Sequence, residues 1–329
     1  MPAEPLVSVI IPTYNRAGVI SQTIDNVFCQ TYQNIELIVV DDGSTDDTGS
    51  VLRRYGDRIR ILTQANAGPA AARNRGIEVS RGEIVAFQDS DDLWKPTKLE
   101  QQVAVLNRLD DSVPCCLCNA IFRVIRQQEY TSFDISSLQP SLEEGLWLNV
   151  AEVLATRFVL FNQTVAIRRR ALEKVGGFDE SLKYLEDYDL PLRLAMEGPW
   201  AFIRTPLVIY REGSEGSFAE KAAKDSIVLK QCEIRIFEQA LAAAKNKNDS
   251  GTRRQLRSRL SVFRRQLLAT RLSQSETFGA RATASVLEAF DILREKLFRR
   301  TPWYPKALTV PLTGHPAYRI ASNPVPLAR

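Results

Sequence analysis

The 329-residue chain contains a single histidine, His315, and only two methionines. An imidazole-centred catalytic relay therefore has almost nothing to draw on. Five cysteines, an odd number in a chain this long, do not form the pattern of a disulfide framework. Cys115, Cys116 and Cys118 are crowded together, but no second cysteine pair or nearby histidine completes a four-ligand zinc site. Small apolar residues on a buried strand are the better reading of that cluster. No apolar run reaches the ~18–20 residues needed to cross a bilayer. The run Leu6–Ile11 lacks the basic start of a signal peptide, so a cytoplasmic location is expected.

What is present is ordinary globular composition, 44% hydrophobic and 25% charged, which excludes a disordered or fibrous chain. The formal charge of +4 hides a division. Residues 221–329 hold 21 basic and 8 acidic side chains, a net of +13, and residues 1–220 carry −9. An acidic front and a basic tail point to two parts with different partners. We therefore expect a domain over 1–220 and a basic helical region with a proline-rich tail over 221–329.

The first 125 residues alternate between two periodicities. Val7–Ile11, Ile35–Val40, Ile59–Leu62 and Ile84–Phe87 are apolar, largely β-branched runs. Between them Ile20, Ile24, Val27 and Phe28 recur at helical spacing, and Ala70–Val79 reads as a second helix. Continuous apolar strands between amphipathic helices predict an α/β fold with a mostly parallel mixed sheet flanked by helices. Ligands in such sheets sit beyond the carboxyl ends of the strands. That rule selects Thr13–Asn15, Asp41–Asp42 and Asp89–Asp92. Further on, loops are expected around Gln127–Gly145, a strand near Thr164–Ile167 and a helix over Arg169–Val175. Another helix should begin near Asp187 or Tyr188, because Pro191 is best accommodated in a first turn. Ser226–Lys245, Arg253–Gln274 and Thr283–Arg300 read as helices, ahead of a tail with six prolines.

Taken singly, the chemistry-bearing clusters are ambiguous. Asp89-Ser90-Asp91-Asp92 crowds three carboxylates, which suits a hard divalent cation or a solvated helix-capping turn. Asp41-Asp42-Gly43-Ser44-Thr45-Asp46 alone favours turn and capping chemistry. In Asn66–Gly76, Gly68 permits close backbone approach and Pro69 suits a first helical turn. Arg73 and Arg75 then lie where a diphosphate could meet them, or on an ordinary surface helix. Tyr14 could stack on a base or simply pack. Glu186-Asp187, with Asp189, could cap a helix or supply a general base.

In combination the motifs are more specific. Val-Ser-Val-Ile-Ile-Pro-Thr-Tyr-Asn-Arg (7–16), Glu-Leu-Ile-Val-Val-Asp-Asp-Gly-Ser-Thr-Asp (36–46), Asn66–Gly76, Asp89–Asp92, Gly-Gly-Phe-Asp-Glu (176–180) and Leu-Glu-Asp-Tyr-Asp-Leu-Pro-Leu-Arg-Leu (185–194) occur in a fixed order. Over about residues 5–215 the chain resembles a family 2 glycosyltransferase with the GT-A, nucleotide-diphospho-sugar transferase fold. The resemblance implies an inverting transfer from a nucleotide-diphospho-sugar, with a UDP-sugar as the expected donor, to a glycan or lipid-linked acceptor hydroxyl. It places Pro12, Thr13 and Tyr14 around the nucleobase, with Asp41 or Asp42 accepting from a ring N–H. Gly68 and Arg73 would line the ribose and diphosphate. The metal motif would be Asp89 and Asp91, holding Mn²⁺ or Mg²⁺, with Asp91 the direct ligand, Asp89 nearer the ribose and Asp92 a third candidate. Asp187 would be the base, supported by Glu186, and Asn162-Gln163-Thr164 would face the same site. The chain departs from the pattern at Tyr210-Arg211-Glu212-Gly213-Ser214, where Gly213 stands in place of a common histidine.

Two other readings compete. A sugar nucleotidyltransferase would release pyrophosphate, but Pro12–Arg16 lacks the glycine-rich loop of that class. A noncatalytic binding or scaffold protein could retain the fold. For 221–329 the expectations are packing on the acidic domain or self-association, or contact with anionic membrane. Nucleic acid is not an expected partner, since aromatics are sparse there.

Overall fold

The structure is a computed structural model that describes residues 4–125, 128–136, 138–211, 224–247, 249–273, 283, 287 and 309–312. Strand β1 (Val7–Thr13) leads to α1 (Ile20–Phe28), β2 (Ile35–Asp41), α2 (Thr48–Arg53), β3 (Arg60–Thr63), α3 (Pro69–Val79) and β4 (Ile84–Phe87). Then come β5 (Leu93–Trp94), α4 (Lys98–Asn107), β6 (Cys115–Ile125), β7 (Gln128–Thr131), α5 (Ser132–Ile135), β8 (Glu144–Trp147), α6 (Val150–Leu154), β9 (Val165–Arg168) and α7 (Arg169–Val175). The remaining described elements are α8 (Glu186–Ala195), β10 (Trp200–Ile209), α9 (Ser226–Asn246), α10 (Ser250–Ser273) and β11 (Thr309–Val310).

Among the described residues the strands join one sheet in the order β11-β8-β10-β6-β9-β4-β1-β2-β3, with β5 on β10 and β7 on β6. The block β4-β1-β2-β3 is parallel. Antiparallel β9 separates it from a parallel β6–β10 pair. The expected mostly parallel mixed sheet flanked by helices is thus present.

Strand alternation divides the core between the two faces. Val7, Val9 and Ile11 of β1 join a cluster with Ile20, Ile24 and the α4 residues Leu99, Val103 and Leu106. Ile10 points the other way, with Val85, Phe87, Ala70 and Ala72. On that second face α3 lies so close to β1 that a Cβ on Gly76 would come within 2.4 Å of Ile10. The cluster runs without a break from Tyr188, Leu190 and Leu194 of α8 into Ile236, Phe237 and Ala240 of α9 and Leu256, Leu260 and Phe263 of α10. The helical hairpin therefore shares a core with the sheet.

Three local expectations differ from what is observed. The 127–145 segment contains β7, α5 and β8 rather than loops alone. Leu93 continues into a two-residue strand, and the next helix waits until Lys98. Helix α8 starts at Glu186, one residue early, because the N–H groups of Tyr188 and Asp189 both donate to the Leu185 carbonyl. Pro191 then lies beyond the first turn and cannot donate to the Asp187 carbonyl one turn back. All of the expected helix Thr283–Arg300 but Thr283 and Leu287, most of the proline-rich tail and Gly213 lie outside the described residues. Cys115, Cys116 and Cys118 are buried on β6 as free thiols. No helix of the described residues is long and apolar enough to cross a membrane.

Candidate active site

Three strand ends meet at one edge of the sheet. Thr13, the last residue of β1, stands opposite Asp41, the last of β2. On the other side β4 ends at Phe87, and the Gln88 N–H donates to the Ile10 carbonyl. The chain then enters Asp89–Asp92. Pro12 lies within β1 opposite Val40, and Tyr14 just beyond it is 43% exposed. The Asn15 N–H donates to Ser44 Oγ, the Thr45 N–H to Asn15 Oδ1, and the Arg16 N–H to Thr48 Oγ1. These bonds stitch the exits of β1 and β2 together. Gly43 sits at φ +77°, and a Cβ there would come within 2.9 Å of the Asn66 nitrogen. The turn requires glycine on both counts.

The site contains three acidic doublets, and each divides its labour. Asp42 is buried and fully used: Oδ1 accepts from Gln64 Nε2 at 2.8 Å and the Ala67 N–H at 2.9 Å, and Oδ2 from the Gly68 N–H at 2.8 Å. Its neighbour Asp41, equally buried, accepts from the Ser44 N–H alone among the described residues, at 2.9 Å. Beside it the Thr13 hydroxyl is buried with no partner among the described residues. Asp92 is likewise spent: Oδ2 accepts from Gln163 Nε2 at 2.7 Å and Oδ1 from the Arg211 N–H at 2.8 Å. Asp91 is partly exposed, with the Arg16 guanidinium 3.7 Å away as its ion-pair partner among the described residues. Glu186 is buried against Arg73 at 2.9 Å, while partly exposed Asp187 has no side-chain partner among the described residues.

Arg73 links two of these groups. Its Nη2 lies 2.7 Å from Asp89 Oδ1 and its Nη1 2.9 Å from Glu186 Oε1, across 113 residues of sequence in the second case. The guanidinium is buried over the Phe178 ring, with Nε unpartnered among the described residues. Burial opposes its charge, but the Asp89 and Glu186 carboxylates outweigh that and raise its proton affinity. Gly68, at φ +92°, caps the helix that carries Arg73, with open space where a side chain would stand.

Charge crowding shows in the proton affinities. Burial and then the Asp89 charge push Asp91 up, against the pull of Arg16 and Arg211. Asp92 is pushed up by burial and by Asp89. Asp187 is pushed up to about 7 by burial and by Glu186, with Arg73 opposing. It is delivered by a strained backbone, because Leu185 just before the doublet sits at φ +69°.

The donor set fits a divalent cation of one particular kind. Among the described residues no three carboxylate, histidine or cysteine groups converge as a protein cage. A cation shared with a diphosphate needs only one or two carboxylates. Asp91 and the second oxygen of Asp89 are available for that, and their mutual repulsion is what such a charge would relieve. Asp92 is less available, since each of its oxygens already accepts from a protein donor. Sequence reasoning gave no role to Arg16 or Arg211, the two cations that face Asp91, although Arg16 directly follows the Thr13–Asn15 exit. Of Asn162-Gln163-Thr164, Gln163 reaches the site through Asp92.

The fold agrees with comparisons to other proteins. Over 187 residues the chain is 38% identical to an uncharacterized glycosyltransferase of Rickettsia typhi, covering 57% of this chain and 58% of that one. It is 30% identical over 242 residues to the uncharacterized glycosyltransferase EpsJ of Bacillus subtilis, covering 70% and 69%. Among solved structures it superposes on residues 1–349 of S. aureus TarS with a TM-score of 0.60 at 17% identity, over 90% and 92% of the two chains. It also superposes on the mannosyltransferase PcManGT from Pyrobaculum calidifontis, in complex with GDP-Man and Mn²⁺, with a TM-score of 0.52 at 20% identity, over 91% and 89%. Those two likenesses establish the GT-A fold. Residues 8–176, about half of the chain, match the family described as Glycosyl transferase family 2, and the chain belongs to that family.

Proposed function

We propose that the chain transfers a glycosyl group from a nucleotide-diphospho-sugar to a hydroxyl of a glycan or lipid-linked acceptor, with inversion at the anomeric carbon. The observation that carries this reading is Asp187. In a site where its acidic neighbours are bonded to the protein, it remains partly exposed, lacks a side-chain partner among the described residues and binds a proton near neutrality. Those are the properties of a general base. The acceptor oxygen would bond to the anomeric carbon as the carbon–diphosphate bond breaks. The hydroxyl proton passes to Asp187, and the nucleoside diphosphate leaves.

At the donor end, Thr13 and Asp41 offer an unpartnered hydroxyl and an under-used carboxylate to a nucleobase, with Pro12 and Tyr14 beside them. Asp42 is the support that fixes the loop ending at Gly68, which faces the ribose. Asp89 and Asp91 would hold a Mn²⁺ or Mg²⁺ ion whose charge offsets that of the departing diphosphate. Arg16 and Arg211 flank that position, and Arg73 holds Asp89 from beneath. TarS residues 1–349 have been solved with UDP-GlcNAc and PcManGT with GDP-Man, which supports a nucleotide-sugar donor.

The test is a screen of UDP-, GDP- and dTDP-sugars with purified protein, with and without Mn²⁺, reading the nucleotide product. Free nucleoside diphosphate is expected. Pyrophosphate would indicate a nucleotidyltransferase. Absence of nucleotide binding across the panel, or Asp187→Asn with unchanged turnover, would defeat the proposal.

A further inference from the structure

A second chemically distinct surface lies on α10. This 24-residue helix carries seven arginines and no acidic residue. Its apolar residues Leu256, Leu260 and Phe263 are buried in the core shared with α8 and α9. Arg254, Arg257, Arg264, Leu268 and Arg271 are exposed, and their three-, four- and seven-residue spacings put them on one stripe. Leu268 is 50% exposed in the midst of the arginines. Two of these arginines have acidic neighbours: Arg264 lies 2.6 Å from Glu238, and Arg254 lies 3.8 Å from Glu152. Arg257 and Arg271 have none among the described residues. An open groove of about 620 Å³ runs between α9 and α10, floored by Leu241, Ala242 and Leu260 and rimmed by Lys245, Arg257, Arg264, Arg265 and the single carboxylate Glu238.

The direction of α10 ties this stripe to the active site. Helix α9 begins at Asp225, which pairs with Lys183 just before α8, and ends at Lys247, which pairs with Glu197 just after it. It therefore runs alongside α8 in the same sense. Helix α10 returns along α9, with Lys230 over the Phe263 ring and Arg264 on Glu238. The Leu268–Arg271 end thus lies toward the end of α8 that carries Asp187.

We propose that this stripe docks the protein on the surface of an anionic phospholipid bilayer, with Leu268 among the headgroups. A cationic rim over an apolar floor matches a phosphate headgroup and its first methylenes. A symmetric contact with a second copy would set arginine against arginine. A nucleic acid would meet no exposed aromatic on this helix for its bases to stack on.

The test is flotation of the full chain with phosphatidylcholine vesicles, with and without phosphatidylglycerol, in the absence of any nucleotide. Its outcome is therefore independent of the glycosyl-transfer reading. Binding is expected to the anionic vesicles only, and should weaken as salt is raised. Each arginine near an anionic surface contributes about fivefold, so the Arg257→Ala/Arg271→Ala variant should bind about 30-fold more weakly. Leu268→Glu should weaken binding further. Thermal melts matching the parent would show that these exposed changes leave the fold intact. Equal flotation with both vesicle types, unchanged binding by the double variant, or a dimer in light scattering that the double variant abolishes would each overturn the proposal.

Discussion

Replacing Arg73 by methionine tests whether the buried bridge acts through charge. The substitution removes two ion pairs, at 2.7 Å to Asp89 and 2.9 Å to Glu186, and keeps most of the apolar stem over Phe178. Breaking a buried pair by removing one partner costs about 3–5 kcal/mol, because the remaining charge is left uncompensated. For a domain of this size that corresponds to a fall in Tm of about 6–20 °C. The loss should depend on pH in a known sense. Asp187 already binds its proton up to about 7 with Arg73 opposing, so removing the cation raises that affinity further. Where the folded state holds a proton that the unfolded state releases, stability rises as pH falls. The variant should therefore be most destabilised near pH 8 and recover toward pH 5. Adding Glu186→Gln removes one stranded charge and should restore part of the loss at pH 8. Thermal melts of the parent, the single and the double variant across pH 5–8 provide the measurement. Equal destabilisation at both ends of that range, together with no rescue by Glu186→Gln, would show that Arg73 acts by packing and would refute the electrostatic account.

Three further outcomes are expected. Asp187→Asn should lower turnover by about 10²–10⁴-fold while nucleotide binding persists, and parent turnover should fall as pH drops below about 7, where the base takes up its proton. A pH-independent rate over that range would argue against Asp187 as the base. Asp91→Asn should weaken Mn²⁺-dependent donor binding with little change in Tm, whereas Asp92→Asn should lower Tm, because it alters the carboxylate that joins Gln163 to the Arg211 backbone; titrating Mn²⁺ alongside melts separates the two. Lys98 is wholly buried, its Nζ 2.8 Å from Gln102 Oε1 and 3.9 Å from the Trp94 ring centre, and burial lowers its pKa from 10.5 to about 8. The folded state releases that proton before the unfolded state does, so stability should rise with pH above about 8, by about 3 kcal/mol once the unfolded pKa is passed. The readout is the difference from Lys98→Met up to pH 9, because Cys115, Cys116 and Cys118, held protonated by burial, act in the opposite sense above that. A slope that persists in Lys98→Met would remove the assignment.

The strands and their exits were legible because their signals are local. Continuous apolar runs such as Ile35–Val40 end abruptly in turn residues, and parallel pairing then brings Thr13, Asp41 and Asp89 to one edge. Less legible was anything decided by a distant partner. Nothing near Arg73 in sequence announces Glu186, 113 residues on, as one of its two partners. The start of α8 depends on Leu185 adopting a left-handed backbone, which no propensity for leucine suggests. The 127–145 segment has weak alternation: β7 folds back on β6 as a hairpin, while β8 forms by pairing with the distant β10.

The same limit explains why each acidic doublet looks symmetrical in sequence and is not in the fold. Adjacent residues at a strand exit point to opposite sides, and adjacent residues on a helix diverge by about 100°. One member can therefore turn into the protein and hold a loop while the other faces the ligand. Asp42, Asp92 and Glu186 are the inward members: between them they secure the Gly68 loop, the 211 strand exit and Arg73. Asp41, Asp91 and Asp187 are the members left with unused acceptor capacity. Replacing a carboxylate of either set should lower turnover, so activity alone cannot distinguish support from chemistry. Stability can: the inward amides Asp42→Asn, Asp92→Asn and Glu186→Gln should each lower Tm, because a buried acceptor pair loses one of the donors it was matched to. Asp91→Asn and Asp187→Asn should leave Tm unchanged or raise it, since each relieves crowded negative charge, and Asp41→Asn, which touches a single N–H donor, should lower Tm less than Asp42→Asn. An inverted pattern at any doublet would reassign which of its two carboxylates meets the substrate.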